Sequence, residues 1–172
     1  MNKLGFYTKN FGAPGVVDAI KDLGPPVLLT ELDDKGALRE IRGNWSPHTF
    51  IVGRFYLTLQ QQNDMLDSPD PAKKGVALAE QCIEHDFHFS KQKIDDRLII
   101  DAWMSLNEAV RGPNSFPEGH DHNAADYQEM VRRAEAYDIL QVAFLERLRQ
   151  EGLQAVAFNF AAGNWTRGED YI

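Results

Sequence analysis

The sequence has a single cysteine, Cys82, which excludes an internal disulfide framework. That thiol falls in a helical pattern, where it is expected to be a buried core residue. No apolar run approaches the roughly 20 residues of a membrane span, so no membrane partner is expected. Met1-Asn2-Lys3 leads straight into a strand-like segment without the apolar core of a signal peptide, and the expected location is the cytoplasm. Dense basic stretches are missing too: 18 Lys and Arg stand against 26 Asp and Glu, for a formal net charge of -8. Phosphate binding needs clustered cations, so nucleic acid is excluded as an expected partner. The loop after the first strand pattern is no compact Gly-rich phosphate cradle. Neither an internal repeat nor a low-complexity segment is visible.

What remains is an ordinary globular composition. With 172 residues, 43% of them hydrophobic, the chain suffices for one domain spanning residues 1–172 with a substantial core. Short apolar runs alternate with helical periods. Leu4–Thr8 reads as a first strand, followed by the breakers Asn10, Gly12, Pro14 and Gly15. Val16, Val17, Ile20 and Leu23 recur at helical spacing, and Gly24-Pro25-Pro26 ends that helix. Val27–Leu32 is a second strand ending at Asp33-Asp34, and Leu38 with Ile41 marks a short helix. Thr49–Tyr56 is a third strand, rich in β-branched and aromatic residues. Asp70 and Pro71 suit the cap and first turn of a helix with Val76, Ala79, Ile83 and Phe87 on its apolar side. Leu98–Glu108 reads as a fourth strand. Asn123 is placed to cap a long helix whose apolar positions run from Tyr127 through Leu140 and Phe144 to Leu148, with Gly152 ending it. Ala155–Phe160 is the fifth strand.

Near-continuous apolar strands separated by helices imply an α/β fold with a mostly parallel sheet. Two closures are open. A doubly wound open sheet is complete with five strands, and an order 2-1-3-4-5 would mark it. A (β/α)8 TIM barrel needs about 250 residues, so this chain would supply a partial barrel with its five strands in sequential order. The length favours the open sheet, whereas polar residues recurring at strand tips favour the barrel.

The fourth strand pattern ends in Asn107-Glu108, and the C-terminal tips of parallel strands are where such folds keep acid/base carboxylates. With Trp103-Met104-Ser105-Leu106 before that pair, Val52-Gly53-Arg54 on the third strand and Phe158-Asn159-Phe160 at the fifth, the chain resembles the N-terminal portion of a clan A glycoside hydrolase. The resemblance covers about the first five βα units, and its diagnostic part is the Asn-Glu motif. It implies retaining hydrolysis of O-glycosidic bonds, with Glu108 as catalytic acid/base and Asn107 as a substrate-binding neighbour. That clan carries its nucleophilic Glu at the end of the seventh strand, for which these residues have no counterpart. A second copy or a complementing C-terminal half is the protein partner this implies, with a carbohydrate as substrate and no cofactor.

Arg54, Asn159 and Trp165 are further substrate-binding candidates. Arg54 has two roles open to it, charge support for Glu108 or a structural pair with Glu31. Asn159, like Asn10 and Asn164, suits sugar hydroxyls or turn geometry. Trp165 follows the fifth strand and is placed to stack on a sugar ring, whereas Trp45 and Trp103 are expected to pack. Glu118-Gly119-His120-Asp121-His122 lacks recognisable four-ligand spacing and is expected to be a solvated loop, so no metal site is assigned. A non-catalytic glycan-binding module and an unrelated open-sheet enzyme are the alternative functions.

Overall fold

In a computed structural model, which describes residues 5–32, 34–106 and 124–157, the apolar runs and helical periods become alternating strands and helices. The order is β1 (Phe6–Thr8), α1 (Val16–Leu23), β2 (Val27–Glu31), α2 (Lys35–Glu40), β3 (Phe50–Arg54), α3 (Leu59–Leu66), α4 (Pro71–His88), β4 (Lys93–Ile94), β5 (Arg97–Leu98), β6 (Ala102–Met104), α5 (Ala125–Gln150) and β7 (Ala155–Val156). Local chemistry fixes several boundaries. Gly24 adopts a left-handed conformation, φ 52°, and its N–H returns to the Ile20 carbonyl to close α1. The Asp70 carboxylate accepts from the Lys73 N–H at 2.9 Å, with Pro71 opening α4. Gly152, φ 73°, ends α5, and the Leu153 N–H donates to the Leu148 carbonyl.

Five strands form one parallel sheet in the order β1-β2-β3-β6-β7, and β4 with β5 forms a separate antiparallel pair. The sheet therefore advances in one direction along the sequence and lacks the reversal of the 2-1-3-4-5 order. Right-handed crossovers that always advance the same way stack their helices on a single face. That face holds Leu28, Ile51 and Trp103, packed with Ile20 of α1, Leu38 of α2, Ala79 of α4 and Leu140 of α5. By strand alternation Tyr7, Leu29, Val52, Ala102 and Met104 point to the other face. Val52, Ala102 and Met104 are buried there, outside the helix-side core. Among the described residues no helix is long and apolar enough to cross a membrane.

The run Leu98–Glu108 departs from the single strand its apolarity suggests. Leu98 ends β5, residues 99–101 bend, and β6 holds only Ala102–Met104. The bend is held by polar contacts that hydropathy does not reveal. Asp101 pairs with the buried Arg42 guanidinium and accepts the Ile51 N–H at 2.7 Å, while Arg42 also donates to the carbonyls of Pro47 (2.7 Å), Thr49 (3.1 Å) and Ile99 (3.3 Å). Arg42 lies in the π-helical turn Ile41–Trp45 that extends α2, and the cluster ties this turn to the N-terminal ends of β3 and β6. The expected cap Asn123 and the distal half of the expected fifth strand, residues 158–160, lie outside the described residues, as does the Phe87 side chain.

Candidate functional site

The C-terminal ends of β1, β2 and β3 bring together a polar group on the face opposite the helices. Register makes Glu31 the neighbour of Arg54, and Tyr7 sits one strand further on, opposite Leu29. Alternation puts Tyr7, Glu31 and Arg54 on the same face. Arg54 Nη2 donates to Glu31 Oε1 at 2.9 Å and also to the Tyr7 hydroxyl, which itself donates to Glu31 Oε1 at 3.1 Å. The guanidinium carbon lies 4.9 Å from the Tyr7 ring centroid, so the aromatic face supports the cation as well. Lys9 Nζ adds a longer contact to the same oxygen, 3.9 Å away. Two hydrogen-bond donors and a more distant ammonium thus converge on one carboxylate oxygen.

Burial sets the energetic weight of this group. Glu31 and Arg54 are 3% and 4% exposed, so their pairing is made largely out of water. Burial, with the Glu31 carboxylate nearby, raises the Tyr7 hydroxyl above its ordinary pKa, against the opposing pull of Arg54. Tyr7 therefore stays a neutral donor at physiological pH. Two guanidinium nitrogens, Nε and Nη1 of Arg54, are buried without a hydrogen-bond partner among the described residues. An unpaired buried donor costs on the order of 1–3 kcal/mol. Arg54 also borders a cleft of about 220 Å³ whose lining includes Lys9, Phe55, Tyr56, Leu57 and Gln62. Lys9 Nζ stands 5.3 Å from the centroid of the exposed Tyr56 ring.

The site candidates drawn from the sequence divide accordingly. Arg54 occupies a strand tip in the site, and of its two anticipated roles the pair with Glu31 is present. Asn107, Glu108, Asn159 and Trp165 lie outside the described residues, as do Asp33, Asn164 and the Glu118–His122 segment. Asn10 serves turn geometry, its side chain accepting the Gly12 N–H at 2.8 Å. Asp34 caps α2 by accepting the Ala37 N–H at 2.9 Å. Trp103 is fully buried, and the partly buried Trp45 packs on the core with Lys21 Nζ 4.8 Å from its ring centroid. Cys82 is buried as expected, and burial pushes its thiol pKa up, away from reactivity.

Tyr7, Lys9 and Tyr56 carry no sequence motif that marks them as site residues. Their only signal is position just at or after a strand, and it becomes useful once the register is known. Among the described residues no three His, Cys, Asp or Glu side chains gather as metal ligands. The described site can bind and orient: it offers cationic donors, an engaged carboxylate and exposed aromatic surface beside an open cleft. Comparison with protein-family models, with curated proteins and with solved structures finds no match to this chain.

Proposed function

We propose that the chain is a glycoside hydrolase-like domain of partial (β/α)8-barrel architecture, acting on O-glycosidic bonds by a retaining mechanism. The observation that carries this reading is the one-directional parallel sheet with a polar group at the C-terminal strand ends. Barrel strands follow one another in sequential order, and barrel chemistry collects at that end. Glu108, two residues beyond Leu106, is the acid/base in this proposal. It protonates the glycosidic oxygen as the bond to the anomeric carbon breaks, while a second carboxylate attacks that carbon. Glu108 then takes a proton from water, which displaces the enzyme carboxylate and frees the sugar. Asn107 hydrogen-bonds a sugar hydroxyl. The clan resemblance assigns the second carboxylate to a later strand, supplied by a complementing C-terminal half.

One observation favours the other reading, a non-catalytic glycan-binding module. Among the described strand-tip carboxylates Glu31 is held by Arg54 and Tyr7, and Asp34 caps a helix. Neither is placed as an uncommitted nucleophile.

The test is hydrolysis by the full-length gene product of aryl and alkyl glycosides. Retention at the anomeric carbon is expected by NMR. Glu108→Gln should lower kcat about 10²–10⁴-fold on alkyl glycosides, with a smaller loss on nitrophenyl glycosides, whose leaving group needs little protonation. Inversion, or a loss independent of the leaving group, would remove Glu108 from this role. Glycan binding without hydrolysis would favour the binding module.

A further inference from the structure

We propose that the cleft beside the ends of β1 and β3 binds the carboxylate of an acidic sugar, a uronate, with Arg54 as the principal donor and Lys9 as the second cation. The choice of a sugar rests on the carbohydrate reading above, whereas the choice of a carboxylate rests on the cleft itself. Nε and Nη1 of Arg54 carry three of the five guanidinium N–H donors, and both atoms are buried without a partner among the described residues. Nη2 is already committed to Glu31 and Tyr7. The Tyr7 ring and the Glu31 carboxylate therefore hold the guanidinium in place and leave donors over.

Charge selects the ligand further. The chain as a whole is formally at -8, yet the described lining of this cleft contains Lys9 and Arg54 and no acidic side chain. Glu31 compensates one of these two cations, leaving a single positive charge to be met. A monoanion fits that balance better than a phosphate dianion. The exposed Tyr56 ring beside Lys9 supplies an aromatic surface for the ring of a pyranose whose carboxylate reaches the cations. The same position at the carboxyl ends of parallel strands is where ligands of such sheets bind.

Calorimetric or NMR titration of the chain with glucuronate, galacturonate, glucose, acetate and inorganic phosphate tests the proposal. The uronates should bind, and glucose and acetate should bind at least about tenfold more weakly, since each lacks either the charge or the ring. Arg54→Lys should weaken uronate binding about tenfold or more, because the ammonium keeps the charge but loses the planar donor set. Arg54 is buried, so Lys9→Ala provides a second arm: its side chain is 57% exposed, the fold should survive, and uronate affinity should fall by roughly threefold to tenfold. Uronate binding unchanged in Lys9→Ala, or glucose bound as tightly as glucuronate, would overturn the carboxylate site. Acetate or phosphate bound as tightly as glucuronate would overturn the uronate assignment. Titration of Glu108→Gln separates the two ideas, since uronate binding should persist there whether or not hydrolysis is lost.

Discussion

Asp101 accepts hydrogen bonds from Arg42 and from the Ile51 backbone, and a second cation, Arg97, stands 3.4 Å away. Arg42 is 2% exposed, and its burial lowers its pKa against the opposing pull of Asp101. Removing the carboxylate leaves a buried cation and a backbone donor without their partner. Asp101→Ala should therefore destabilise the protein by about 3–5 kcal/mol in urea unfolding, the range for breaking one side of a buried ion pair. A loss below about 1 kcal/mol would show that the pair behaves as a surface contact. Arg54 differs by place, because its pair sits at the C-terminal strand ends, and by degree, because it leaves two guanidinium nitrogens, Nε and Nη1, without a partner among the described residues where Arg42 leaves Nε. Sequence made Arg54 a candidate with Glu108 or Glu31 as its open partners, and it is the register that joins it to Glu31 and brings in Tyr7 and Lys9.

Helices α4 and α5 form the main helix–helix contact, and Gly75 sets their closest approach. A Cβ placed on Gly75 would lie 2.1 Å from the Leu140 carbonyl oxygen, a backbone atom that cannot swing aside. Gly75→Ala raises local helix propensity but forces the helices apart, and the second effect wins. A loss of about 2–3 kcal/mol in thermal or urea unfolding is expected; unchanged stability would mean the helices pack elsewhere. Helix α5 is also tied laterally. Ser105, just past the end of β6, hydrogen-bonds the buried Gln141, which donates to the Val156 carbonyl at 3.1 Å, so one side chain links α5 to the ends of β6 and β7.

At the other end of α5, Glu129 bonds Arg132 and Arg133, both of which also reach Asp67 at the end of α3. The hydrogen bond from Arg132 is the largest cause holding the Glu129 carboxyl down at about 2, from an ordinary 4.5. A depressed folded pKa means stability present above about 4.5 and lost as pH falls toward 2. The Glu129 side chain is 46% exposed, so screening should keep the effect below about 1 kcal/mol. Glu129→Gln should flatten the fall in stability over that window in acid titration at low salt, and an unchanged slope would count against the network. The short helix α3 carries a Thr58–Gln61 capping box that marks its start. Its polar composition gives no strong apolar period, so hydropathy along the chain does not mark it as a helix.

Across the whole molecule the sheet is unevenly supported. Strands β2 and β3 are five residues long and bonded on both sides, whereas β1 has three residues and pairs with β2. Amides of β2 and β3 should be the slowest to exchange with deuterium, and those of β1 markedly faster, since an edge strand opens without breaking the core. Uniform protection across the three strands would contradict this order.

Sequence alone determined the alternation of apolar runs with helical periods, the parallel sheet, and the boundaries written in local chemistry at Gly24, Asp70-Pro71 and Gly152. Each of those signals acts within a few residues, so it can be read along the chain. Tertiary structure decided that residues 99–101 bend around Asp101 and that Tyr7, Glu31 and Arg54 meet. The reason is register: partners 23 and 47 residues apart join only when three strands align, and a slip by one residue would send their side chains to opposite faces.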